Sequence, residues 1–493
     1  MHTPGCCVHL TPLLRSQPML PPSLASALRR IVGDANVVAD RDALRVYECD
    51  GLTLEKSRPE VVVLPASSGE VVEVVRLLAR ERINFVPRGA GTGLSGGCLA
   101  IDAPVAIGTS RMTRILDLDA RNRRAVVEAG VVNASISRAA LPHGLCYAPD
   151  PSSQPACTIG GNVAENSGGP HTLKYGVTTN HVLGVEMVLP SGEVVQLGGP
   201  TEDVPGYDLA GLCVGSEGTF GIVTKVCVRL SRLPEAVKTF LAVFESVDDA
   251  TATVSGIIAA GVIPAALEMM DQTIIEAIEA AYAFGYPRDA GAVLIIELDG
   301  LRPAVEAQSA RVLTVCAENG ARDVRVARDE AERALLWKSR KRAFGAVGRL
   351  APNYCTQDGV VPRTKVPEIL RVIQAAAAKY RLRAGNVFHA GDGNIHPILL
   401  YDERDPDEVE RVLAAGREIL EACVRLGGSL TGEHGIGIEK MDQMPLIFTP
   451  DDLAAMRRLR RAFDPDERCN PHKIFPTPGG CVEIRRPKRG VPS

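Results

Sequence analysis

Pro87-Arg88-Gly89-Ala90-Gly91-Thr92-Gly93-Leu94-Ser95-Gly96-Gly97 sets five glycines within nine residues, directly after the apolar stretch Ile83 to Val86. Glycine lets backbone N–H groups turn inward and approach an anion closely. Arg88 adds positive charge, so a pyrophosphate is the natural guest. The dinucleotide fingerprint of doubly wound folds needs G-x-G-x-x-G opening a helix. Here the spacing differs, and Leu99-Ala100-Ile101-Asp102-Ala103-Pro104 does not start a helix. No Gly-Lys-Ser/Thr ends the loop, which excludes a P-loop. The plain alternative is a loop whose glycines serve only positive φ.

Working outward, Val61 to Leu64 reads as a strand. Ser67 or Ser68 caps a helix over Gly69 to Arg82, with Val71, Val74, Val75 and Leu78 on one face. Further strands fall at Val105 to Ile107, Ala125 to Glu128 and Val182 to Leu189. Ser191-Gly192 joins Val185 to Leu189 with Val194 to Leu197 as a hairpin. Two more glycine-rich loops run from Pro149 to Gly169 and from Gly215 to Val223. Three such loops in one stretch suit a large polar cofactor. Residues 21–233 read as one α+β domain, with Pro234 marking a boundary. Beyond it, strands at Lys238 to Phe244, Val293 to Leu298 and Val387 to Leu400 alternate with helices at Asp248 to Ala260 and Ala304 to Asn319. This second α+β domain spans 234–410. Helices at Glu408 to Leu426 and Pro450 to Phe463 follow, within a segment 411–477. Residues 1–20 read as a disordered extension and 478–493 as a flexible basic tail.

A chain of 493 residues exceeds one core. Its net charge of −4 and 4% aromatic content disfavour nucleic acid. No apolar stretch reaches the roughly 18 residues of a membrane span. The 13 cysteines are odd in number and form no Cys-x-x-Cys pair. That points to reduced thiols in a cytoplasmic protein, or one peripheral to a membrane, and away from disulfides or iron–sulfur clusters. Met1 to Leu20 lack the charged start and apolar core of a signal peptide; a mitochondrial transit peptide is the alternative.

His389-Ala-Gly-Asp-Gly-Asn-Ile-His396 and Gly432-Glu433-His434-Gly435-Ile436-Gly437 carry the chemistry. Strand-like arms flank Gly391 to Asn394, strong turn chemistry that would bring His389 and His396 together. Glu433 and His434 would approach on a glycine-framed loop. Histidine and glutamate are ligands for a divalent metal, and a further imidazole can accept a proton. Two turns with incidental histidines are the plain alternative. Trp337-Lys-Ser-Arg-Lys-Arg342 is a basic helical patch that a solvated face would also explain.

Taken together, these motifs resemble the FAD-binding family of vanillyl-alcohol oxidase and p-cresol methylhydroxylase. The resemblance is to the branch of FAD-linked glycolate oxidase catalytic subunits, D-lactate dehydrogenases and D-2-hydroxyglutarate dehydrogenases. It rests on the first loop, on Cys157-Thr-Ile-Gly-Gly-Asn-Val-Ala-Glu-Asn166 and on both histidine motifs, and runs from about Pro59 to Pro476. It implies an α+β fold: a two-lobed FAD-binding domain of the p-cresol methylhydroxylase type, an inserted α+β substrate (cap) domain, and a C-terminal return through Cys469 to Pro476.

The resemblance also implies noncovalent FAD; His171 is a conceivable covalent anchor without a supporting motif. The cofactor would lie on Pro87, Arg88, Gly89, Ala90, Gly91, Thr92, Gly93, Leu94, Ser95, Pro149, Asp150, Ser152, Thr158, Gly160, Gly161, Asn162, Asn166, Gly169, Glu217, Gly218, Gly221, Ile222 and Asn470. A divalent metal, zinc or manganese, would bind His389, His396 and Glu433, with Asp392 less suited at the turn apex. Arg340 would grip the substrate carboxylate. His434 would be the general base for hydride transfer from a D-2-hydroxy acid to flavin N5. Dicarboxylate-specific relatives add a lysine after the Arg340 helix and a hydroxyl residue four positions beyond the arginine. Asn353 to Asp358 contains no lysine, and Phe344 occupies the second position. Both departures favour a glycolate- or D-lactate-type acid over D-2-hydroxyglutarate. Electrons would leave to a partner subunit, a quinone, a cytochrome or O2, in a homodimer or hetero-complex. A zinc hydrolase, a non-catalytic nucleotide-binding module and an ether-lipid-forming flavoenzyme are the other readings.

Overall fold

The computed structural model describes residues 20–201 and 205–476. The expected tail and all but the last residue of the expected extension lie outside them. Helix Ser68–Arg80 begins where Ser67 Oγ accepts the Glu70 N–H. Its Val71, Val74, Val75 and Leu78 are fully buried. They pack on a four-stranded sheet ordered Val37–Val38, Val61–Val63, Val105–Gly108, Phe85–Arg88. The last three strands run parallel. The glycine loop therefore leaves from the end of an edge strand.

A five-stranded antiparallel sheet follows, ordered Ile115–Asp119, Arg124–Glu128, Ile222–Arg229, Val182–Val188, Val194–Gly198. The expected hairpin is its last pair, with Val188 opposite Val194. Alternate residues of Ile222–Arg229 are buried, the pattern of a sheet with one face on a core.

The second lobe is built on a large antiparallel sheet. Its central strands are Ala236–Phe244, Ala292–Gly300, Ala266–Asp271 and Arg383–His389. Helices cover both faces, so Ala236–Phe244 and Ala292–Gly300 carry long apolar runs rather than an alternating pattern. Phe240, Ala242, Leu294 and Ile296 point to one core, and Leu241, Val243, Val293 and Ile295 to the other.

The structure differs from the sequence reading in three places. The two arms expected within Val387 to Leu400 form on either side of the turn, but the second arm is split in two, giving Arg383–His389, Asn394–Ile395 and Pro397–Tyr401. Gly393 at φ 82° turns the chain between the first two, and Pro397 begins the third. Strand Ala266–Asp271 lacks an alternating pattern and was not expected. Helix Pro406–Arg425 buries Val412, Ala415, Ile419 and Cys423 in the second lobe's core. The chain returns to the first lobe only around Ile436. There Ile438 N–H donates to Ser95 O, and Asn470 N–H donates to Phe85 O beside the sheet edge. Among the described residues no helix is long and apolar enough to cross a membrane.

Candidate active site

A cavity lies between the lobes and encloses about 1630 Å³, its mouth included. One wall is the first glycine loop. A Cβ on Gly89 would strike Thr158 Oγ1, the atom that caps helix Ile159–Glu165 by accepting the Gly161 N–H. The bare backbone of the first loop thus packs against the helix start of the second, leaving N–H groups near the cavity. Arg88 lines this end, and its guanidinium donates to the carbonyls of Tyr47 and Cys49.

Most of the expected cofactor residues meet on this wall: Pro87, Arg88, Gly89, Ala90, Gly91, Thr92, Gly93, Leu94, Ser152, Thr158, Gly160, Gly161, Asn162, Glu217, Gly218, Gly221 and Ile222. Six do not line it. Ser95 is fully buried and accepts from Ile438. Pro149 O accepts from Asn133 Nδ2. Asn166 terminates a helix at φ 55°, and Gly169 lies at φ 141° against the backbone of Asp150. Asn470 Nδ2 is shared between the carbonyls of Gly97 and Glu217. Asp150 faces a different cavity. These side chains and turns fix the shape of the wall from behind.

The same cavity is lined by Arg340, Phe344, Tyr354, Thr356, His389, His396, Glu433 and His434. His389 ends its strand and His396 follows the turn, with ring centroids 5.2 Å apart. His389 Nδ1 is 2.6 Å from Glu268 Oε1, and its Nε2 is 3.2 Å from Glu433 Oε1. His396 Nδ1 is 3.3 Å from Gln357 O, and its Nε2 is 3.3 Å from the same Glu433 oxygen. Both imidazoles are therefore anchored through Nδ1 and present Nε2 to one carboxylate. That is how metal-ligating histidines are held, and one ligand atom from each of the three residues lies within 4.8 Å of the others. The donor set fits a divalent cation. Without one, burial disfavours a charged His389, yet Glu268 and Glu433 outweigh it and hold its pKa well above the usual value. Burial alone would raise Glu433, but His389 and His396 pull it well below the carboxylate range. A cation would displace the histidine proton.

His434 stacks on His396 at 5.0 Å and 9°. Burial, helped by the charges of His396 and Lys440, lowers its pKa to about 4 against the opposing pull of Asp358. A neutral imidazole results, as a base requires.

Two carboxylates that the sequence reading passed over hold these residues together. Glu268, fully buried on strand Ala266–Asp271, receives Arg340 Nε at 2.7 Å and braces His389 with its other oxygen. Asp358 is also fully buried. It accepts the Thr431 hydroxyl and the N–H groups of Gly432, Glu433 and His434, at 2.5 to 3.2 Å. One side chain thereby sets the loop that carries both Glu433 and His434. The available signal for Glu268 was an acid amid Ala-Leu-Met-Met, since buried charge implies a buried partner. Arg340 itself is 2% exposed, so the basic patch is not a uniformly solvated face.

His171 lines the separate cavity with Asp150 and Trp337. Burial would lower its pKa, but Asp150 at 2.8 Å and Glu297 at 3.2 Å raise it to about 10. The raised value means that its charge stabilises the fold. The contribution should be complete below the unfolded value of 6.5 and vanish as pH rises through about 10. Urea midpoints of wild type and His171→Gln should converge as the pH is raised past about 10.

Residues 59–198 match the family described as FAD binding domain, and residues 233–474 match FAD linked oxidases, C-terminal domain. The glycolate oxidase subunit GlcD of Escherichia coli strain K12 is 46% identical over 462 residues, 94% of this chain and 93% of that protein. A D-lactate dehydrogenase of Anaerostipes hadrus is 34% identical, covering 90% and 94%. The crystal structure of p-cresol methylhydroxylase with substrate bound superposes with a TM-score of 0.78 at 18% identity, covering 92% of this chain and 96% of that one. The two domain matches and these relatives define an FAD-linked oxidoreductase. The chain belongs to the FAD-linked oxidases.

Proposed function

We propose that this chain oxidises a small D-2-hydroxy acid, of glycolate or D-lactate type, to the 2-oxo acid with noncovalently bound FAD. The observation that carries this is one cavity lined both by the glycine-built wall and by Arg340, three imidazoles and Glu433. The names of the relatives, glycolate oxidase subunits and D-lactate dehydrogenases, support the same substrate class. The FAD-binding wall comprises residues of 21–233, and the second lobe with the Glu433–His434 loop supplies the substrate side.

Bound FAD would supply the two-electron acceptor, and a divalent cation on His389, His396 and Glu433 would supply a Lewis acid. The protein's own part can be read from the side chains. Arg340 spends Nε on Glu268, and its terminal nitrogens have no other described hydrogen bond, leaving the fork for a carboxylate. Nδ1 of His434 is hidden from solvent, 4.0 Å from Asp358, so Nε2 is the nitrogen that takes the hydroxyl proton. Phe344, Tyr354 and Thr356 close the remaining side. Among the described residues, Arg88 and Arg340 are the only Arg or Lys on the cavity wall. Arg88 is tied to carbonyls at the glycine-loop end. A second substrate carboxylate would find no cation, which sets D-2-hydroxyglutarate aside. Transfer of electrons to a partner subunit would follow the naming of GlcD as a subunit.

The test is anaerobic titration of the purified yellow protein with glycolate, D- and L-lactate, D-malate and D-2-hydroxyglutarate. Bleaching by glycolate or D-lactate alone is the expected result; bleaching only by D-2-hydroxyglutarate, or by none, overturns the proposal. Dialysis against a chelator should leave the flavin spectrum intact, abolish bleaching, and be reversed by zinc or manganese.

A further inference from the structure

Glycines from two distant segments make room for one side chain that the mechanism above does not use. Glu165 ends helix Ile159–Glu165 and lines the cavity. A Cβ on Gly97, in the first loop, would stand 2.7 Å from its Oε1. A Cβ on Gly435, one residue after His434, would run into its Oε2. The carboxyl is thus wedged between the cofactor loop and the loop that carries the base.

It makes no described hydrogen bond to the protein, and Oε2 is hidden from solvent without a partner. Its acidic neighbours are differently served. Glu217 receives the N–H groups of Ile436 and Gly437 at 2.7 and 2.6 Å. Asp50 receives the Leu52 N–H at 2.9 Å. The nearby cation Lys440 donates to Gly435 O and pairs with Glu439 at 3.1 Å. A carboxylate with no N–H donor, beside two other acids, is the disfavoured form of this group. Burial and the charges of Glu217 and Asp50 raise its pKa accordingly. The neutral form carries a proton for which the described protein offers no acceptor, and its open side is the cavity.

We propose that Glu165 is a cofactor-binding residue that donates a hydrogen bond, as a neutral carboxyl, to an oxygen or nitrogen acceptor of bound FAD. An uncharged donor there would hold the cofactor against the His434 loop without adding negative charge near its phosphates.

The measurement is FAD release from the purified holoprotein after dilution into low urea, followed by the rise of free-flavin fluorescence. Glu165→Gln keeps size, neutrality and an N–H donor; Glu165→Met keeps size alone. The Gln variant should release FAD within about threefold of wild type, and the Met variant about tenfold faster, one hydrogen bond's worth. Release as fast from Gln as from Met would mean that the charged carboxylate is the binding form, which overturns the proposal. Equal release from all three proteins would mean that Glu165 makes no contact, which overturns it as well. The inference rests on noncovalent FAD in this cavity. A wild-type protein that never releases FAD would overturn that reading too, and is distinguishable from the other outcomes.

Discussion

His434→Ala should retain FAD yet reduce it about 10²- to 10⁴-fold more slowly when its acid substrate is added, the usual worth of a positioned general base. The expectation follows from how the ring is held. Its loop is set by Asp358 through the N–H groups of Gly432, Glu433 and His434, none of which depends on the imidazole. Removing the ring therefore leaves Glu433 in place and the cavity's glycine wall untouched. The stack on His396 is lost, with modest consequences for stability, because His396 keeps its contacts with Gln357 and Glu433. Flavin content by absorbance and the single-turnover rate of flavin bleaching separate the two effects. A variant that binds FAD normally and bleaches at the wild-type rate would show that another group takes the proton. A variant that loses FAD would place the ring in cofactor binding instead.

Legibility in the sequence follows the range of the forces involved. The helix expected over Gly69 to Arg82 and the hairpin around Ser191-Gly192 are written locally, in a cap, a period and a turn, and both form, the helix as Ser68–Arg80. The glycine motifs announced a cofactor because their composition is costly to explain otherwise. His389, His396, Glu433 and His434 were legible as a set through their glycine frames, and the structure brings all four to one cavity. Glu268 and Asp358 were not legible as site residues. Each works through partners 72 or more positions away, and no local pattern encodes such a pairing. The same limit explains why Asp150, expected on the cofactor wall, instead faces His171. The loop's composition predicted a polar lining, but which side of the loop each residue takes is decided by packing against the second lobe.

Glu268→Ala should cost the fold about 3–5 kcal/mol, the price of leaving a buried charge without its partner, and should also abolish substrate-driven bleaching. In the metal-free protein Glu268 is fully buried between two groups that carry positive charge, Arg340 at 2.7 Å and His389 at 2.6 Å. Burial works against its ionisation, yet His389 and Arg340 together hold its pKa below 4.5. A depressed folded value means that its contribution is complete above about pH 4.5 and is lost as pH falls through the lower folded value. Wild type and variant should therefore differ most in urea midpoint near neutral pH and approach each other in acid. Activity fails for a separate reason. Arg340 loses the bond that aims its guanidinium, and His389 loses the bond that fixes which nitrogen faces Glu433. Glu268→Gln separates these roles. Its carbonyl oxygen can still accept from one partner, while its NH2 group faces the other cation as a donor facing a donor. It should recover part of the stability and little of the activity. If Glu268→Gln bleaches with substrate as fast as wild type, the negative charge at this position does not organise the site.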